Sequence, residues 1–187
     1  WLGKDEGYIC LTRPRRFGKS MAAAMIAAYY CNDYDSHDIF DKLAVHKLKS
    51  YETHINKYAV IYFEAQSLRD RVSDAMDFVP LLHKTIGAEL SNAWPEYTQG
   101  LTHIVDMLIQ INKHTGNQFV FIIDEWDSIF RRDKDNKAAL KEWVRFLRSA
   151  FKSAEARQYM ALAYITGILP IKKYDLESSL NVFDEYT

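Results

Sequence analysis

The chain has 187 residues, of which 48% are hydrophobic, and a formal net charge of −1. This length and composition suit one domain with a substantial core. The near-neutral charge excludes a global attraction to nucleic acid, and no apolar run approaches the roughly 18 residues that a membrane span needs. Two cysteines without Cys-x-x-Cys or metal-ligand spacing favour a reducing, cytoplasmic compartment over a disulfide framework.

Short apolar segments alternate with helix-length segments along the whole chain. The predicted strands are residues 8–12, 58–63, 119–123 and 160–166. Because strands that alternate with helices form right-handed βαβ units, we predict an α/β fold with a mostly parallel sheet between two helical layers. No linker or repeat interrupts residues 1–187, so they are expected to form one domain. The abrupt ends at Trp1 and Thr187 suggest a fragment of a longer protein.

The first predicted strand leads into Arg-Pro-Arg-Arg-Phe-Gly-Lys-Ser at residues 13–20. A strand, a loop and a helix that starts at Gly-Lys-Ser form a phosphate-binding (Walker A) loop, in which Lys19 reaches the β- and γ-phosphates and Ser20 ligates Mg²⁺. The full pattern has glycine where this chain has Arg13, so the loop needs support from a second motif. The residues expected to bind the nucleotide are Arg15, Arg16, Phe17, Gly18, Lys19, Ser20 and Met21.

Four segments have the composition or periodicity of helices: residues 20–30, 79–93, 101–111 and 136–156. The first is rich in alanine and methionine and apolar on nearly every side, which predicts a buried helix behind the phosphate loop. The last has an apolar face and a basic stripe. The stripe, either a solvated face or a docking strip for nucleic acid or an acidic partner, consists of Lys137, Lys141, Arg145, Arg148 and Lys152.

The third predicted strand ends in two adjacent carboxylates, Asp124 and Glu125. This is the carboxyl edge at which α/β sheets bind ligands. In a P-loop ATPase the first carboxylate, here Asp124, supports the Mg²⁺ shell (Walker B), and the second, here Glu125, polarises the attacking water. A core strand followed by an acidic turn is the alternative, and the upstream Gly-Lys-Ser favours the nucleotide site.

Further polar residues are expected near the same edge. Thr166 ends the fourth strand, either as a catalytic sensor between Lys19 and the γ-phosphate or as a hydroxyl that satisfies a backbone group. Arg131 and Arg132 either stabilise transition-state charge or lie on the surface. Asp127 is a third carboxylate, which meets either solvent or these arginines.

These motifs resemble those of the AAA-ATPase-like domain family, which occurs in many bacterial proteins. Residues 11–20 are similar to its signature, in which the loop begins Arg-Pro-Arg-Arg and not with glycine. Residues 122–127 resemble its Asp-Glu-Tyr-Asp motif with Trp126 in place of tyrosine, and residues 165–168 resemble its Thr-Gly motif. Residues 179–181 are similar to the segment that follows.

The resemblance implies an additional-strand (AAA-type) ATPase core, with the phosphate-loop strand beside the third and fourth strands. Relatives usually continue into a helical region and a PD-(D/E)XK nuclease-like domain, which is therefore an expected partner; a second copy of the chain and nucleic acid stay open. We expect ATP binding and Mg²⁺-dependent hydrolysis that drives or gates a change in a partner domain. The alternative is a nucleotide-responsive scaffold with negligible hydrolysis.

Overall fold

A five-stranded sheet organises residues 7–174 and 180–187, which are the residues that the computed structural model describes. Every pair of neighbouring strands is parallel, and the spatial order is β2-β3-β4-β1-β5. The strands are β1 (Tyr8–Thr12), β2 (Ala59–Glu64), β3 (Phe119–Asp124), β4 (Met160–Gly167) and β5 (Asp184–Tyr186). Because all strands run the same way, their carboxyl ends meet at one edge.

Ten α-helical segments that lie wholly within the described residues connect or flank these strands. They are α1 (Lys19–Tyr30), α2 (His37–Phe40), α3 (Tyr51–His54), α4 (Ala65–Arg69), α5 (Phe78–Ala93), α6 (Pro95–Thr98), α7 (Ile104–Thr115), α8 (Ser128–Arg132), α9 (Lys137–Lys152) and α10 (Ala156–Tyr159). Short 3₁₀ turns cover Ala44–Lys47, Ala75–Asp77 and Ile171–Tyr174. The structure is therefore α/β with an all-parallel sheet, compatible with a P-loop fold.

The four predicted strands are confirmed to within one residue at each end. The short edge strand β5 was not predicted, because three residues give too little periodicity to detect. The expected position of β1 is wrong in one respect: β1 pairs with β4 and β5, and β4 separates it from β3. The loop after β1 therefore follows a strand that neighbours β4, and β4 separates that strand from β3.

Helices cover the two faces of the sheet unequally. Helices α5, α7 and α9 share one hydrophobic core with one face, where the ring of Phe121 in β3 meets that of Phe151 in α9 at 5.3 Å. The other face packs against α1 in a smaller cluster that includes Val120 and Ile122. The predicted apolar and basic faces of α9 are confirmed, with Trp143, Leu147 and Phe151 buried and the basic stripe exposed.

The prediction that α1 is buried on nearly all sides is wrong. Within this helix only Lys19, Ala23 and Tyr30 are buried, and Met21 and Met25 are 69% and 44% exposed. Its outer side is covered near the carboxyl end, where Tyr29 packs against a small cluster of Phe40, Tyr51 and Ile55. An alanine-rich composition satisfies helix propensity as well as burial, so it does not distinguish the two.

Both cysteines are free and buried, Cys10 in β1 as predicted and Cys31 after α1. Burial raises the pKa of the Cys10 thiol, so the thiolate is disfavoured there. In the described part of the chain, no helix combines the length and apolarity that crossing a membrane requires.

A histidine fixes the start of α7, which begins three residues later than the periodicity of residues 101–111 predicts. The Ile104 N–H donates to His83 Nδ1 at 3.2 Å, which satisfies a donor that no helical carbonyl can reach. The ring of His83 lies 4.8 Å from that of His103 and 5.6 Å from that of Phe146. Burial, and then the neighbouring His103, lower the pKa of His83, against an opposing effect of Asp106.

We expect acid to destabilise the fold through His83. Its folded pKa lies below the unfolded value of about 6.5, so the unfolded chain binds more protons and stability falls as pH drops through that value. His83→Gln keeps an acceptor that does not titrate, so it should lose less stability between pH 7.5 and 5.5 in urea unfolding. Exposed His46→Gln is the matched control; equal losses for His83→Gln and the parent would contradict the prediction.

Candidate functional site

The loop between β1 and α1 is anchored to the end of β4. Thr12 pairs with Gly167 in the parallel register, and the Arg13 N–H donates to the Gly167 carbonyl at 3.2 Å. The chain then turns through two left-handed residues, Arg16 with φ 68° and Gly18 with φ 73°. For Arg16 this conformation costs about 1–2 kcal/mol, so the loop stores strain three residues after Arg13, the position at which the full pattern has glycine.

Lys19 is a buried cation with no counter-charge among the described residues. The residue is only 7% exposed in the first turn of α1, and Nζ donates to the Pro14 carbonyl at 3.1 Å. Among the described residues no carboxylate forms an ion pair with it. A neutral carbonyl leaves the charge uncompensated, and the N-terminus of α1 adds partial positive charge, so this point favours an anion.

The other loop residues predicted to bind the nucleotide lie on the surface. Ser20 follows Lys19 and is exposed, as are the six residues before Lys19 and Met21 after it. Phe17 is 65% exposed, an unusual position for an aromatic side chain. None of the loop arginines forms an ion pair within the described residues.

Asp124 and Thr166 meet where β3 and β4 end. The Thr166 hydroxyl donates to Asp124 Oδ1 at 3.3 Å, and the Glu125 N–H donates to the same oxygen at 3.0 Å. Asp124 and Thr166 are both buried. The Thr166 hydroxyl therefore bonds to a carboxylate, and not to a strand-end backbone group as one alternative had it. Its role as a sensor stays a prediction.

Glu125 adopts a left-handed conformation, with φ 51°. Hydrogen bonds on both sides hold the turn: the Trp126 N–H donates to the Thr166 carbonyl at 3.0 Å, and the Ser128 N–H donates to the Glu125 carbonyl at 2.9 Å. The Glu125 side chain is about one-fifth exposed, and its Oε2 accepts from Arg131 Nη2 at 2.8 Å. The candidate base is thus held by a cation from its own turn.

Asp127 joins the turn after β3 to the segment after β4. It is fully buried, and its Oδ2 accepts from the N–H groups of Ile168 at 3.2 Å and Leu169 at 3.1 Å. Arg131 Nε lies 3.3 Å from the same oxygen. Sequence reasoning left open whether Asp127 met solvent or arginines; it meets Arg131 and two backbone donors. The sequence did not predict this contact with the backbone, because any residue type supplies a backbone N–H.

Arg131 and Arg132 have different environments although they are neighbours. Arg131 lies inside the site between two carboxylates, whereas Arg132 pairs with Asp70 and both of those side chains are about half exposed. Of the two arginines, only Arg131 contacts a predicted site residue among the described residues.

Several buried polar atoms around Asp127 have no hydrogen-bond partner among the described residues. They are Trp126 Nε1, Asp127 Oδ1, Ser128 Oγ, Arg131 Nε and Tyr174 Oη. Arg131 Nε is within ion-pair distance of Asp127, but its N–H does not point at the carboxylate well enough for a hydrogen bond. Burial, and then the Asp127 carboxylate, raise the pKa of Tyr174 to about 12, so its hydroxyl stays protonated.

The chemistry of the donors fits Mg²⁺. No group of three or more His, Cys, Asp or Glu side chains that could hold a metal occurs in residues 7–174 and 180–187. Mg²⁺ does not need such a cage, because it binds through one or two carboxylates together with substrate phosphates and water. Asp124 supplies a buried carboxylate and Ser20 an exposed hydroxyl, which agrees with that ligand set.

Two grooves in the described structure lie away from these residues. One of about 680 Å³ runs between α5 and the start of α7, where Val79, His83 and Met107 line it. Another of about 670 Å³ follows the basic stripe of α9. Volume alone does not identify a phosphate site, since anions bind to backbone N–H groups and cations at an open helix end. We therefore place the candidate site at the loop.

Gly167 lies so close to the buried turn that we expect no side chain to fit there. A Cβ would stand 2.8 Å from both Asp127 Oδ1 and Trp126 Nε1. Gly167→Ala should destabilise the fold by about 1–3 kcal/mol in urea unfolding, the usual cost of overpacking. In the control Gly87→Ala the new methyl meets the flexible end of Met107 at 3.4 Å inside α5, so stability should stay equal or rise. Equal stability of Gly167→Ala and the parent would contradict this prediction.

Comparison with known proteins identifies the family of the chain. The profile of the AAA-ATPase-like family, described as a predicted AAA-ATPase, matches residues 2–177. No curated protein and no solved structure matches the chain. The profile spans the loop at 13–20, the carboxylates at 124–125 and the Thr-Gly pair at 166–167, and part of the segment at 179–181 lies outside both the match and the described residues. The chain belongs to the AAA-ATPase-like family.

Proposed function

We propose that this chain is an additional-strand P-loop domain that binds ATP and hydrolyses it with Mg²⁺, and so drives or gates a change in a partner domain. Family membership supports ATP-related activity at a coarse level. The observation that carries the proposal is Lys19: a buried ammonium whose acceptor is a neutral carbonyl, at the N-terminus of a helix. Such a charge destabilises the fold by itself, and a phosphate would neutralise it.

The reaction we propose is attack of water on the γ-phosphorus. The water oxygen bonds to phosphorus, the bond from phosphorus to the β–γ bridging oxygen breaks, and ADP leaves with that electron pair. Glu125 accepts the water proton and passes it to solvent. Lys19 binds the β- and γ-phosphates, and Thr166 orients Asp124 through its 3.3 Å hydrogen bond. Mg²⁺, held by Ser20 and Asp124, would neutralise phosphate charge.

One observation favours the alternative, a nucleotide-responsive scaffold with negligible hydrolysis. The carboxylate of Glu125 accepts a hydrogen bond from Arg131 at 2.8 Å, so the proposed base is already engaged. In this alternative ATP binding is retained, and the turn after β3 transmits the bound state to a partner without turnover.

Partners beyond ATP and a cytoplasmic location also remain proposals. A nuclease-like domain in the parent chain follows from the resemblance, and a second copy of the chain is a further option.

For the basic stripe of α9, the ion pair of Arg145 with Glu142 at 3.1 Å favours a solvated face over a nucleic-acid surface. The triple variant Lys141→Ala, Arg145→Ala and Arg148→Ala distinguishes these two roles. If the stripe binds nucleic acid, the binding constant of the variant should depend less steeply on salt concentration than that of the parent.

Changing Lys19 should separate binding from folding. Lys19→Met keeps the apolar stem and removes the uncompensated charge, so we expect the thermal midpoint to stay equal or rise. A hydrogen bond to a charged group contributes about 1.5–3 kcal/mol, so the Kd for Mg-ATP should rise about 10- to 100-fold. Exposed Lys49→Met is the matched control. If Lys19→Met binds Mg-ATP like the parent, the phosphate-loop assignment is wrong.

Changing Glu125 should separate hydrolysis from binding. Glu125→Gln keeps the shape and loses the proton acceptor, so kcat should fall about 100-fold or more while the Kd for Mg-ATP changes little. Steady-state phosphate release and equilibrium binding measure the two quantities. Turnover by Glu125→Gln at the rate of an active parent would exclude Glu125 as the base. A parent that binds ATP without turnover would support the scaffold alternative.

A further inference from the structure

One guanidinium links the two carboxylates that follow Asp124. Arg131 Nη2 donates to Glu125 Oε2 at 2.8 Å, and Arg131 Nε lies 3.3 Å from Asp127 Oδ2. The side chains of Arg131 and Glu125 are each 21% exposed, so solvent screens this pair less than a surface pair. The contact forms within a single turn of chain, between the end of β3 and α8.

We propose that the Arg131–Glu125 ion pair restrains the general base, and that hydrolysis requires this pair to open. The inference rests on the proposed function. A general base must place a carboxylate oxygen within hydrogen-bond distance of the attacking water. The bond from Arg131 instead fixes the Glu125 side chain toward α8. Arg131 is thus a positioning residue that lowers the basal rate.

Opening the pair does not require α8 to move. The far end of this helix is fastened to α4 and to the residue after it: Arg69 donates to both oxygens of Asp133 at 2.8 Å, and Arg132 pairs with Asp70. A bidentate pair with both side chains largely buried is a strong anchor. The rotation of one side chain, Arg131, is therefore sufficient to release Glu125.

Asp127 keeps part of its hydrogen bonding when Arg131 moves away. Its Oδ2 keeps two backbone donors, Ile168 and Leu169, when the guanidinium leaves. Release therefore breaks one well-directed hydrogen bond, the one to Glu125, together with the 3.3 Å ion pair to Asp127.

If Arg131 restrains the base, removing it changes kcat in the opposite direction from removing an arginine that stabilises the transition state. Removing a transition-state arginine lowers kcat by about 10³-fold or more. Removing a restraint on the base raises it. The sign of the change in kcat therefore separates the two roles of Arg131.

The test compares Arg131→Gln with the neighbouring Arg132→Gln in the full chain. Arg131→Gln keeps a neutral donor near buried Asp127 and removes the cation, and Arg131→Ala serves as a second variant. We expect kcat for Mg-ATP to rise roughly 3- to 30-fold in both Arg131 variants, the range that one partly exposed charged hydrogen bond spans. KM should stay within about twofold, since no hydrogen bond or ion pair joins Arg131 or Glu125 to the phosphate loop among the described residues. In Arg132→Gln, kcat should equal that of the parent.

The double variant Glu125→Gln/Arg131→Gln excludes a merely structural effect. If Arg131 acts through Glu125, the gain disappears and the double variant turns over like Glu125→Gln alone. An unchanged or lowered kcat in folded Arg131→Gln, or a gain that survives in the double variant, would overturn the inference. Lys19→Met in the same assay tests the proposed function separately. If it binds Mg-ATP like the parent, that function fails, whatever Arg131 does.

Discussion

The buried carboxylate of Asp127 holds the carboxyl edge of the sheet together. The strand order places β4 between β1 and β3. The end of β4 therefore separates the strand that leads into the phosphate loop from the strand that carries the carboxylates. Asp127 accepts two N–H groups just after β4, and the Trp126 N–H donates back to the Thr166 carbonyl. Hydrogen bonds to a carboxylate are roughly twice as strong as neutral ones. The position of Thr166 against Asp124 depends on this contact.

The same contact explains the local backbone. Because the turn after β3 must fold back onto β4 at once, Glu125 takes a left-handed conformation that is unfavourable for a residue with a side chain. The close approach also leaves no room for a Cβ at Gly167. The glycine of the Thr-Gly motif is therefore a packing requirement of the Asp-Glu-Trp-Asp turn, and two motifs that lie about 40 residues apart in sequence form one unit.

The sequence predicted the parts of the structure that local periodicity and residue type determine. Buried parallel strands such as β3 are continuous apolar runs, and β1 and the ends of α5 followed from similarly local signals. The exposed face of α1 could not be predicted, because alanine and methionine suit a buried and an exposed helix alike. The pairing of β1 with β4 depends on the order of strands across the sheet, which single segments do not encode.

At the site, the sequence identified Lys19, Asp124, Glu125 and Thr166 as candidates but not what holds them. The Asp124–Thr166 hydrogen bond, the Asp127 contact with the backbone after β4 and the Arg131–Glu125 pair all join groups through a turn or across strands. Arg131 and Arg132 illustrate the limit. They are adjacent and chemically identical, and only the direction in which α8 leaves the sheet places one against Glu125 and the other against a surface aspartate.

Several features that weaken the fold occur together at this edge. Among the described residues, Lys19 is buried without a counter-charge, and five buried polar atoms around Asp127 have no hydrogen-bond partner. Arg16 and Glu125 adopt left-handed conformations. Each costs roughly 1–3 kcal/mol. A fold that required only a stable core would gain by removing them. Their concentration where β1, β3 and β4 end is what a site for a charged ligand and a movable arginine would need, because ligand phosphates and a rearranged guanidinium can satisfy groups that the protein alone does not.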